Sequence, residues 1–400
     1  MRCTLLQGPA GTFFNTLNKH LVQNGWDVHR FAFDGGDFAF SNILKTEHWV
    51  GNKSWRRTFG RHLKDFKPQV VVLFGCERPA HRIARRLCAR ANIPILSLEE
   101  GYVRPGFITA EWGGNNHASP LKNIPMDFSS TFRKTPLPIK PGMTPMLKQA
   151  VPYYTSRTLF TLPKQWKLLH RQHFWPAEVS RWGLNVLRKW YHNASDKTLL
   201  EKLNAKSFDY DIMALQVPGD QSLVCGGDGW NTKRLILEGL DSFAKNAPKS
   251  RHLVIKMHPL ARGHSNIHHF IEQLTNEHNI SDRVHLCMSG PLAPVLKNAR
   301  GLITITSTSA LSAIEKQKTV LVMGQSVARD PSLSLNGPDK SSLDLFWNSK
   351  HHASDANINA FWSKMHTHSL LPGDFYTPSA RQTTCLHIQE KIEEKLSKKQ

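Results

Sequence analysis

Short apolar segments alternate with helical periodicity in two blocks of the chain, and this alternation restricts the possible folds more than any other sequence feature. In the first block, the predicted strands cover residues 2–7, 26–33, 70–74 and 93–98. The run at 70–74 contains no polar residue, which is typical of a parallel strand that helices cover on both faces. Alternating strands and helices predict a doubly wound α/β domain.

The same alternation returns after residue 210. Strands are predicted at 212–217, 252–257, 284–288, 301–306 and 319–323, with helices at about 231–245, 264–277, 291–299 and 308–317. Between the two blocks the alternation stops, and Lys and Arg are interleaved with Trp166, Trp175, Trp182 and Trp190. We interpret this middle segment as a mainly helical connector.

Two doubly wound, Rossmann-like domains that face a cleft, a GT-B-like architecture, are therefore the predicted fold. The predicted boundaries give an N-terminal domain at 1–120, a connector at 121–205, a C-terminal domain at 206–345 and a helical tail at 346–400. A chain of 400 residues is long enough for each domain to bury its own core.

Charge and the lack of long apolar runs narrow the functional classes. Lys and Arg number 52 against 31 Asp and Glu, and the net charge of +21 predicts a surface that attracts nucleic acid, anionic lipid or phosphorylated substrates. No apolar run reaches the roughly 18 residues that a bilayer-spanning helix needs, and the first residues lack the features of a secretory signal. The sequence therefore predicts a cytoplasmic protein. Its six cysteines lack metal-binding spacing, so no zinc site is expected.

Ligands of doubly wound domains bind at the carboxyl ends of the strands, and the first block carries charged residues there. Gly8 and Arg78 lie in loops that follow two of its strands. Glu99 and Glu100 follow a third strand, and Arg104 comes shortly after them. One of the two carboxylates could act as a general acid, and Arg104 could bind an anion or pair with that carboxylate. The alternative is a salt-bridged surface loop.

The second block offers an aspartate and a histidine at the same kind of position. Asp220 ends the segment QVPGD, which begins at Gln216 after a predicted strand. Its carboxylate could serve as a nucleophile or base, or it could cap the next element. Lys256 and His258 close the next strand. His258 could donate to a carboxylate or phosphate and exchange protons near neutral pH, or it could have a structural role.

Hydroxyl groups cluster after the strand at 301–306. Ser307, Thr308 and Ser309 lie where a helix is predicted to begin. Their hydroxyls and the unpaired N–H groups of the first helical turn form a candidate phosphate site. Ordinary helix capping uses the same residue types, so each hydroxyl taken singly has a structural alternative.

The tryptophan-rich and basic segment at 160–191 allows three interpretations. Indole rings favour the headgroup zone of a bilayer and basic residues attract anionic lipid, which predicts a membrane surface. The same side chains could instead pack between helices. Stacking on nucleic-acid bases would also use these residue types.

Several of these segments, in this order, resemble the KpsS/LipB branch of the capsule polysaccharide Kdo-transferase family. The resemblance extends from residue 5 to about residue 347 and therefore covers most of the chain. It rests on the segments LLQGPAGTFF, FDGGDFAF, VVVLFGCERPAHR, LSLEEGYVRPGFITAEWGGNN, LQVPGDQS, KMHPLARG, TITSTSALSAIEKQKTVLVMG and LDLFW. Each segment alone has low specificity, and together they are highly specific.

The resemblance implies a GT-B-like enzyme that takes Kdo from CMP-Kdo and adds it, with retention of the β configuration, to a phosphatidylglycerol-type lipid. The reaction would take place at the inner face of the cytoplasmic membrane. The resemblance also implies that Asp220 is the nucleophile of a QxxxD motif that begins at Gln216. Glu100, or its neighbour Glu99, would be the acid.

The resemblance further implies how the donor is held. His258 matches the family's HP motif, which is expected near the sugar carboxylate or the CMP phosphate. Ser307, Thr308 and Ser309 match the element expected to hold CMP. No metal is required, because CMP is a good leaving group and the chain offers no DxD motif of the kind that would argue for one. CMP-Kdo is a substrate, so no cofactor is expected.

The partners implied are CMP-Kdo, an anionic phospholipid acceptor, an anionic membrane surface and other capsule biosynthesis and export proteins, and nucleic acid is not expected. Two alternatives stay open. The chain could use another CMP-activated acidic sugar, as a sialyltransferase does. It could also be a non-catalytic basic protein that binds capsule polymer, lipid or nucleic acid through its Trp-rich segment.

Overall fold

The structure, a computed structural model, describes residues 1–41, 46–49, 51, 53–140, 142, 144–169, 175–217, 220–258 and 267–398. The chain divides into two compact units. Unit 1 contains Met1–Trp175 and Trp362–Gln400, and unit 2 contains Pro176–Phe361. Each unit has a sheet of its own, and we describe the two units separately.

The sheet of unit 1 is built from β1 (Arg2–Leu5), β2 (Asp27–Ala32), β3 (Thr46–His48), β4 (Val70–Phe74), β5 (Ile95–Glu100), β6 (Phe107–Trp112) and β13 (Leu370–Pro372). Among the described residues of unit 1, these seven strands have the order β13-β6-β5-β4-β1-β2-β3. The strands from β1 to β5 pair in parallel. At one edge, β6 and β13 add two antiparallel strands.

Helices cover both faces of this sheet. They are α1 (Phe13–Gln23), α2 (Gly35–Ala39), α3 (Trp55–Asp65), α4 (Pro79–Arg90), α5 (Thr144–Phe160) and α14 (Pro378–Ser397). Val70 and Val72 of β4 pack with residues of α1 and α14, whereas Val71 and Leu73 pack with residues of α3 and α4. Successive residues of a strand point to opposite faces, so an uninterrupted apolar run suits this doubly covered position.

The sheet of unit 2 is built from β7 (Tyr210–Ala214), β8 (His252–Lys256), β9 (Val284–Cys287), β10 (Gly301–Thr304), β11 (Thr319–Val322) and β12 (Leu335–Asn336). Its described strands are all parallel and have the order β12-β11-β10-β7-β8-β9.

The remaining helices are α6 (Trp175–Asn204), α7 (Gln221–Gly226), α8 (Thr232–Asn246), α9 (Ile267–Glu277), α10 (Leu292–Lys297), α11 (Ser309–Glu315), α12 (Lys340–Phe346) and α13 (Asp355–His368). The boundary between the units falls at the start of α6 and within α13. Within the described ranges, no helix is both long enough and apolar enough to cross a membrane.

The predicted fold class of two doubly wound α/β units is confirmed, and each predicted strand has a counterpart in the structure. The antiparallel strands β6 and β13 were not predicted. The boundaries between the two units also differ from the predicted domain boundaries. The part of the predicted connector up to Trp175 belongs to unit 1, and the predicted tail is split between Phe361 and Trp362. These assignments depend on contacts between distant parts of the chain, which local patterns do not reveal.

A buried carboxylate ties the C-terminal segment to the first sheet. Glu111 of β6 is fully buried, and its Oε1 accepts hydrogen bonds from Ser119 Oγ (2.5 Å) and Ser369 Oγ (2.6 Å). Its Oε2 accepts hydrogen bonds from Tyr102 Oη (2.7 Å) and Asn115 Nδ2 (3.3 Å). Burial raises the pKa of Glu111, and these hydrogen bonds offset part of that effect. Ser369 directly precedes β13, so the carboxylate links two distant segments.

Removing this carboxylate should destabilise unit 1. Glu111→Ala leaves three buried hydroxyl donors without this acceptor, and each such group costs about 1–3 kcal/mol, so we expect a loss of about 3 kcal/mol or more in the free energy of unfolding. The control Glu394→Ala removes an exposed ion pair with Lys398 on α14 and should cost less than about 1 kcal/mol. Urea denaturation measures both losses. Unfolding of unit 1 is monitored by labelling of the buried Cys3 thiol, which peptide mass spectrometry resolves from the other cysteines. Equal stabilities of the two variants would contradict this role of Glu111.

Candidate active site

Each sheet reverses its winding at one point, and this reversal determines where ligands bind. In unit 1 the chain runs outward from β1 through β2 and β3, and then returns to the other side of β1 with β4. In unit 2 the reversal lies between β7 and β10. The loops that follow the two strands at a reversal leave in opposite directions, and the crevice between them is the usual ligand site of such sheets.

The structure brings Gly8 and Arg78 together at the reversal in unit 1. Gly8 follows β1 and Arg78 follows β4, and Arg78 Nη1 donates to Gly8 O over 3.0 Å. The guanidinium carbon also lies 5.2 Å from the centre of the Phe74 ring. A Cβ at Gly8 would lie 2.5 Å from the Phe14 ring, so close packing requires glycine there. Both predicted residues thus lie at the carboxyl end of the first sheet.

Glu99 and Glu100 end β5 at the same end of the sheet. Glu100 forms an ion pair with Arg104, which is one of the arrangements that the sequence suggested. Glu100 Oε1 also accepts a hydrogen bond from Tyr376 Oη over 3.1 Å, and Glu99 Oε1 accepts one from the Glu100 amide over 3.3 Å. Burial, together with the charge of Glu100, raises the pKa of Tyr376. Sequence reasoning missed Tyr376, because it lies 276 positions from Glu100.

A polar cluster at the ends of β1 and β2 was also missed. Gln7 Nε2 donates to Asp34 Oδ2 and to Asp37 Oδ2, each over 3.0 Å. Tyr153 Oη donates to Asp37 Oδ1 over 2.9 Å and to Asp34 Oδ1 over 3.2 Å. Arg157 Nε lies 3.7 Å from Asp34 Oδ2. All five side chains are buried, so the cluster stabilises the strand ends and presents little charge to solvent.

Two glycines allow α5 to lie against α2 beside this cluster. A Cβ at Gly35 would lie 2.5 Å from Ser156 O, and a Cβ at Gly36 would lie 2.8 Å from the Tyr153 ring. Only glycine permits this approach of the two helices. The segment FDGGDFAF contains both carboxylates and both glycines, and it is the sequence signal that could have revealed the cluster.

In unit 2 the reversal is bridged by Gln216 and Thr306. Gln216 follows β7, and its Nε2 donates to Thr306 Oγ1 over 2.9 Å. The Thr306 amide donates back to Gln216 Oε1, also over 2.9 Å. Both residues are buried. The carboxamide therefore joins the loops after β7 and β10 at the point where they separate. The sequence indicated Gln216 but not this contact.

Asp220 caps the first turn of α7. Its Oδ1 accepts hydrogen bonds from the Ser222 amide over 2.9 Å and from the Ser222 hydroxyl over 2.8 Å. This is the capping arrangement that the sequence left open, and it fixes the orientation of the carboxylate. Pro218 and Gly219, in the middle of the QxxxD segment, lie outside the described residues.

The three predicted hydroxyl residues connect β10 to α11. Ser307 Oγ accepts a hydrogen bond from the Ser309 amide over 3.2 Å, and Thr308 immediately precedes the helix. The buried Ser309 Oγ has no hydrogen-bond partner within the part of the chain that the structure describes. Buried hydroxyls are normally paired, so this atom is suited to contact a ligand oxygen.

Lys256 and His258 lie at the carboxyl end of β8 but differ in exposure. Lys256 is buried, and its Nζ donates to Met257 O over 2.8 Å. His258 is exposed. Pro259, the second residue of the HP motif, lies outside the described residues. His258 is therefore the more accessible of the two to a ligand at this edge.

One aspartate pair has DxD spacing, and the structure gives it another role. Asp211 of the segment Asp209-Tyr210-Asp211 lies near the start of β7, at the opposite end of the sheet from Gln216. Its carboxylate is fully buried and pairs with Arg251 and Arg300, each over 3.1 Å. Asp211 therefore has a structural role in the core of unit 2.

The Trp-rich segment at 160–191 is divided between the two units. Trp166 is half-buried in unit 1, where the Arg157 guanidinium carbon lies 5.5 Å from its ring centre. Trp190 is exposed and belongs to unit 2. The side chains of Trp175 and Trp182 lie outside the description.

Asp34 should make the stability of unit 1 depend on pH. Burial, followed by the charge of Asp37, raises the pKa of Asp34 to about 7. Above about pH 4 the unfolded chain releases the Asp34 proton, whereas the folded protein keeps it until the pH reaches about 7. The stability that Asp34 contributes at low pH is therefore lost as the pH rises through about 7. Relative to Asp34→Asn, the free energy of unfolding of the wild type should fall by about 2–4 kcal/mol between about pH 4 and pH 8. Urea titrations across this range measure the difference, and a constant difference would contradict the assignment.

Solved structures of two bacterial proteins align with nearly the whole chain. One, described as Thermosulfurimonas dismutans KpsC, beta Kdo 2,7 transferase, has 11% identity and a TM-score of 0.44 over 97% of this chain and 98% of its own. Anabaena Alr3699/HepE in complex with UDP-glucose has 9% identity and a TM-score of 0.38 over 100% of both chains. Similarity at this level carries no conclusion about activity.

Two bacterial relatives are similar in sequence. The capsule polysaccharide modification protein LipB of Neisseria meningitidis serogroup B is 32% identical over 359 residues, covering 86% of this chain and 84% of LipB. The capsule polysaccharide export protein KpsS of Escherichia coli is 30% identical over 355 residues, covering 86% of this chain and 88% of KpsS. The resemblance to the KpsS/LipB branch is thereby confirmed.

The family model described as capsule polysaccharide biosynthesis protein matches residues 69–376. The matched range includes the segments that carry Arg78, Glu100, Asp220 and His258, and it extends as far as Tyr376. With this match and with the extended similarity to LipB and KpsS, the chain belongs to the capsule polysaccharide biosynthesis protein family.

Proposed function

We propose that this chain is a glycosyltransferase of capsule biosynthesis, which transfers Kdo from CMP-Kdo to a phosphatidylglycerol-type lipid with retention of the β configuration. Family membership and the similarity to LipB and KpsS support a role in making capsule. The resemblance of the segments, in their order, to the KpsS/LipB branch supports Kdo as the sugar. In this proposal the enzyme acts at the inner face of the cytoplasmic membrane, with capsule biosynthesis and export proteins as partners and without a metal or cofactor.

The observation that carries the proposal is the contact between Gln216 and Thr306 at the reversal of the second sheet. It holds Gln216, which follows β7 four positions before Asp220, beside Thr306 in the loop after β10 that carries Ser307 and Ser309. In the second loop, the buried Ser309 hydroxyl lacks a partner among the described residues, and a ligand oxygen would satisfy it. The phosphate of CMP supplies such oxygens, so CMP is proposed to bind between these loops.

In the first step, Asp220 attacks the anomeric carbon of Kdo. A bond forms between a carboxylate oxygen and this carbon while the bond from the carbon to the CMP phosphate oxygen breaks, and CMP leaves with the electron pair. The hydrogen bonds from Ser222 engage Oδ1, so Oδ2 is the proposed nucleophilic atom. His258 donates a hydrogen bond to the departing phosphate or to the sugar carboxylate, which stabilises the negative charge.

In the second step, the lipid hydroxyl attacks the same carbon. The new glycosidic bond forms as the bond to Asp220 breaks, which restores the carboxylate. Glu100 or Glu99, the acid of the family resemblance, acts in this step as the base that takes the hydroxyl proton. Two displacements at one carbon retain its configuration. Arg78 and Arg104 provide positive charge for the lipid phosphate at the carboxyl end of the first sheet.

The variant Asp220→Asn separates catalysis from helix capping. Asparagine caps helices as well as aspartate does, but its amide is not a nucleophile, so stability should be kept while activity falls by about a thousandfold or more. The assay is mass-spectrometric detection of Kdo-modified lipid after incubation with CMP-Kdo and phosphatidylglycerol, with Asp220→Ala in parallel. Product from the wild type and from both variants would remove Asp220 as the nucleophile. Product from none of the proteins would overturn the donor or the acceptor.

The contact between Gln216 and Thr306 should affect kcat/KM for the donor CMP-Kdo. Thr306→Val keeps the shape of the side chain but leaves Gln216 Nε2 without its acceptor, so we expect kcat/KM for CMP-Kdo to fall by about 10- to 100-fold. The matched variant Thr306→Ser keeps the hydroxyl and should lose less than about threefold. Steady-state kinetics at saturating acceptor measure both. Activity of Thr306→Val close to that of the wild type, with a larger loss in Thr306→Ser, would show that packing of the threonine methyl, and not the hydrogen bond, matters.

The two alternatives from the sequence are tested in the same assay. A transferase specific for another CMP-activated acidic sugar would use the same phosphate and carboxylate contacts, so CMP-sialic acid is run beside CMP-Kdo. Preference for CMP-sialic acid would reassign the donor. A non-catalytic protein that binds capsule polymer or lipid would bind its ligand but yield no product from either donor.

A further inference from the structure

The outer face and the C-terminal end of α5 form an exposed apolar surface in unit 1. Val151, Leu159, Phe160 and Leu162 are largely exposed, with Leu159 at 69% and Phe160 at 60%. Single exposed apolar residues are ordinary on a folded protein, but three within four positions are not. We name these four residues the α5 surface.

Contacts on the inner side of α5 hold this surface in place. Tyr153 and Arg157 are buried in the cluster that contains Asp34. Directly after the helix, Thr161 Oγ1 accepts a hydrogen bond from the Gly35 amide over 3.0 Å. The α5 surface is therefore presented by a fixed helix, in which Phe160 packs beside Gly35 through its backbone and Cβ and still leaves 60% of the residue exposed.

The charged residues in the chain around the α5 surface are all basic, and of these Arg157 is buried. No acidic residue occurs between Asp127 and Glu178, whereas this stretch contains Arg133, Lys134, Lys140, Lys148, Arg157, Lys164, Lys167 and Arg171. Lys148, Lys164 and Lys167 are exposed and adjoin the α5 surface in sequence. Exposed apolar side chains next to lysines are the combination that binds the interface of an anionic bilayer.

We propose that the α5 surface docks on an anionic phospholipid bilayer. Leu159 and Phe160 enter the boundary between headgroups and acyl chains, and the neighbouring lysines bind lipid phosphates. The segment involved runs from Val151 to Leu162, and it does not include the tryptophans of the 160–191 segment.

The position of the α5 surface is also consistent with the proposed lipid acceptor. Gln149 of α5 accepts a hydrogen bond from the Thr12 amide over 3.3 Å, in the loop that follows β1 and contains Gly8. Docking through α5 therefore brings lipid headgroups to the carboxyl end of the first sheet. The link to catalysis rests on the proposed lipid acceptor, whereas the docking itself does not.

Vesicle binding without donor tests the docking. The full chain is sedimented with vesicles of phosphatidylglycerol and phosphatidylcholine, and Leu159→Gln/Phe160→Gln should reduce the partition coefficient by about tenfold or more. Lys164→Ala/Lys167→Ala should reduce it by about tenfold on these vesicles and have little effect on pure phosphatidylcholine. The matched control Leu345→Gln/Leu386→Gln alters exposed leucines on α12 and α14 and should bind as the wild type does.

The outcomes distinguish this proposal from the proposed function. Docking through α5 is overturned if Leu159→Gln/Phe160→Gln binds vesicles as the wild type does, or if light scattering shows that these residues hold two copies of the chain together. Transfer to a water-soluble, short-chain phosphatidylglycerol should be unchanged in this variant, while transfer to vesicles falls. Vesicle binding that depends on α5, with no Kdo transfer to either acceptor, would leave the docking standing and overturn the proposed function.

Discussion

A parallel sheet that is wound in both directions from one strand has a crevice where the winding reverses, and the candidate site depends on this constraint. Both units bridge their reversal with one side-chain contact. In unit 1, Arg78 reaches the carbonyl of Gly8, and in unit 2, Gln216 and Thr306 exchange hydrogen bonds. These contacts hold the two loops of each reversal together, so groups a few residues away, such as Asp220, acquire defined positions.

The cost of burying charge explains which segments belong to unit 1. A buried carboxylate needs several donors, since an unpaired one is strongly unfavourable. Glu111 obtains its donors partly from Ser369 in the C-terminal segment, and Asp34 obtains one from Tyr153 of α5. The polar networks therefore help to bring the part of the predicted connector up to Trp175 and the part of the predicted tail from Trp362 onward into one folded unit.

The cluster that contains Asp34 also relates the carboxyl end of the first sheet to the proposed membrane surface. Tyr153 and Arg157 project from the inner side of α5 into the cluster with Asp34, while Leu159 lies on the exposed side. Because the inner contacts determine the orientation of the helix, they also determine which apolar residues meet solvent. In this interpretation, a membrane-facing surface and the loop after β1 are fixed by one set of buried hydrogen bonds.

By itself, the sequence determined the two doubly wound units and placed Glu100, Asp220 and the hydroxyls after β10 at strand ends, because apolar runs, turn residues and helix starts are local signals. The family resemblance singled out the same residues. Only the tertiary structure decided that Tyr376 contacts Glu100, that Thr306 contacts Gln216, and that the chain after Phe361 returns to the first sheet. The physical reason is that these contacts join residues far apart in the chain, and their pairing depends on how the helices and strands pack, which no local pattern encodes.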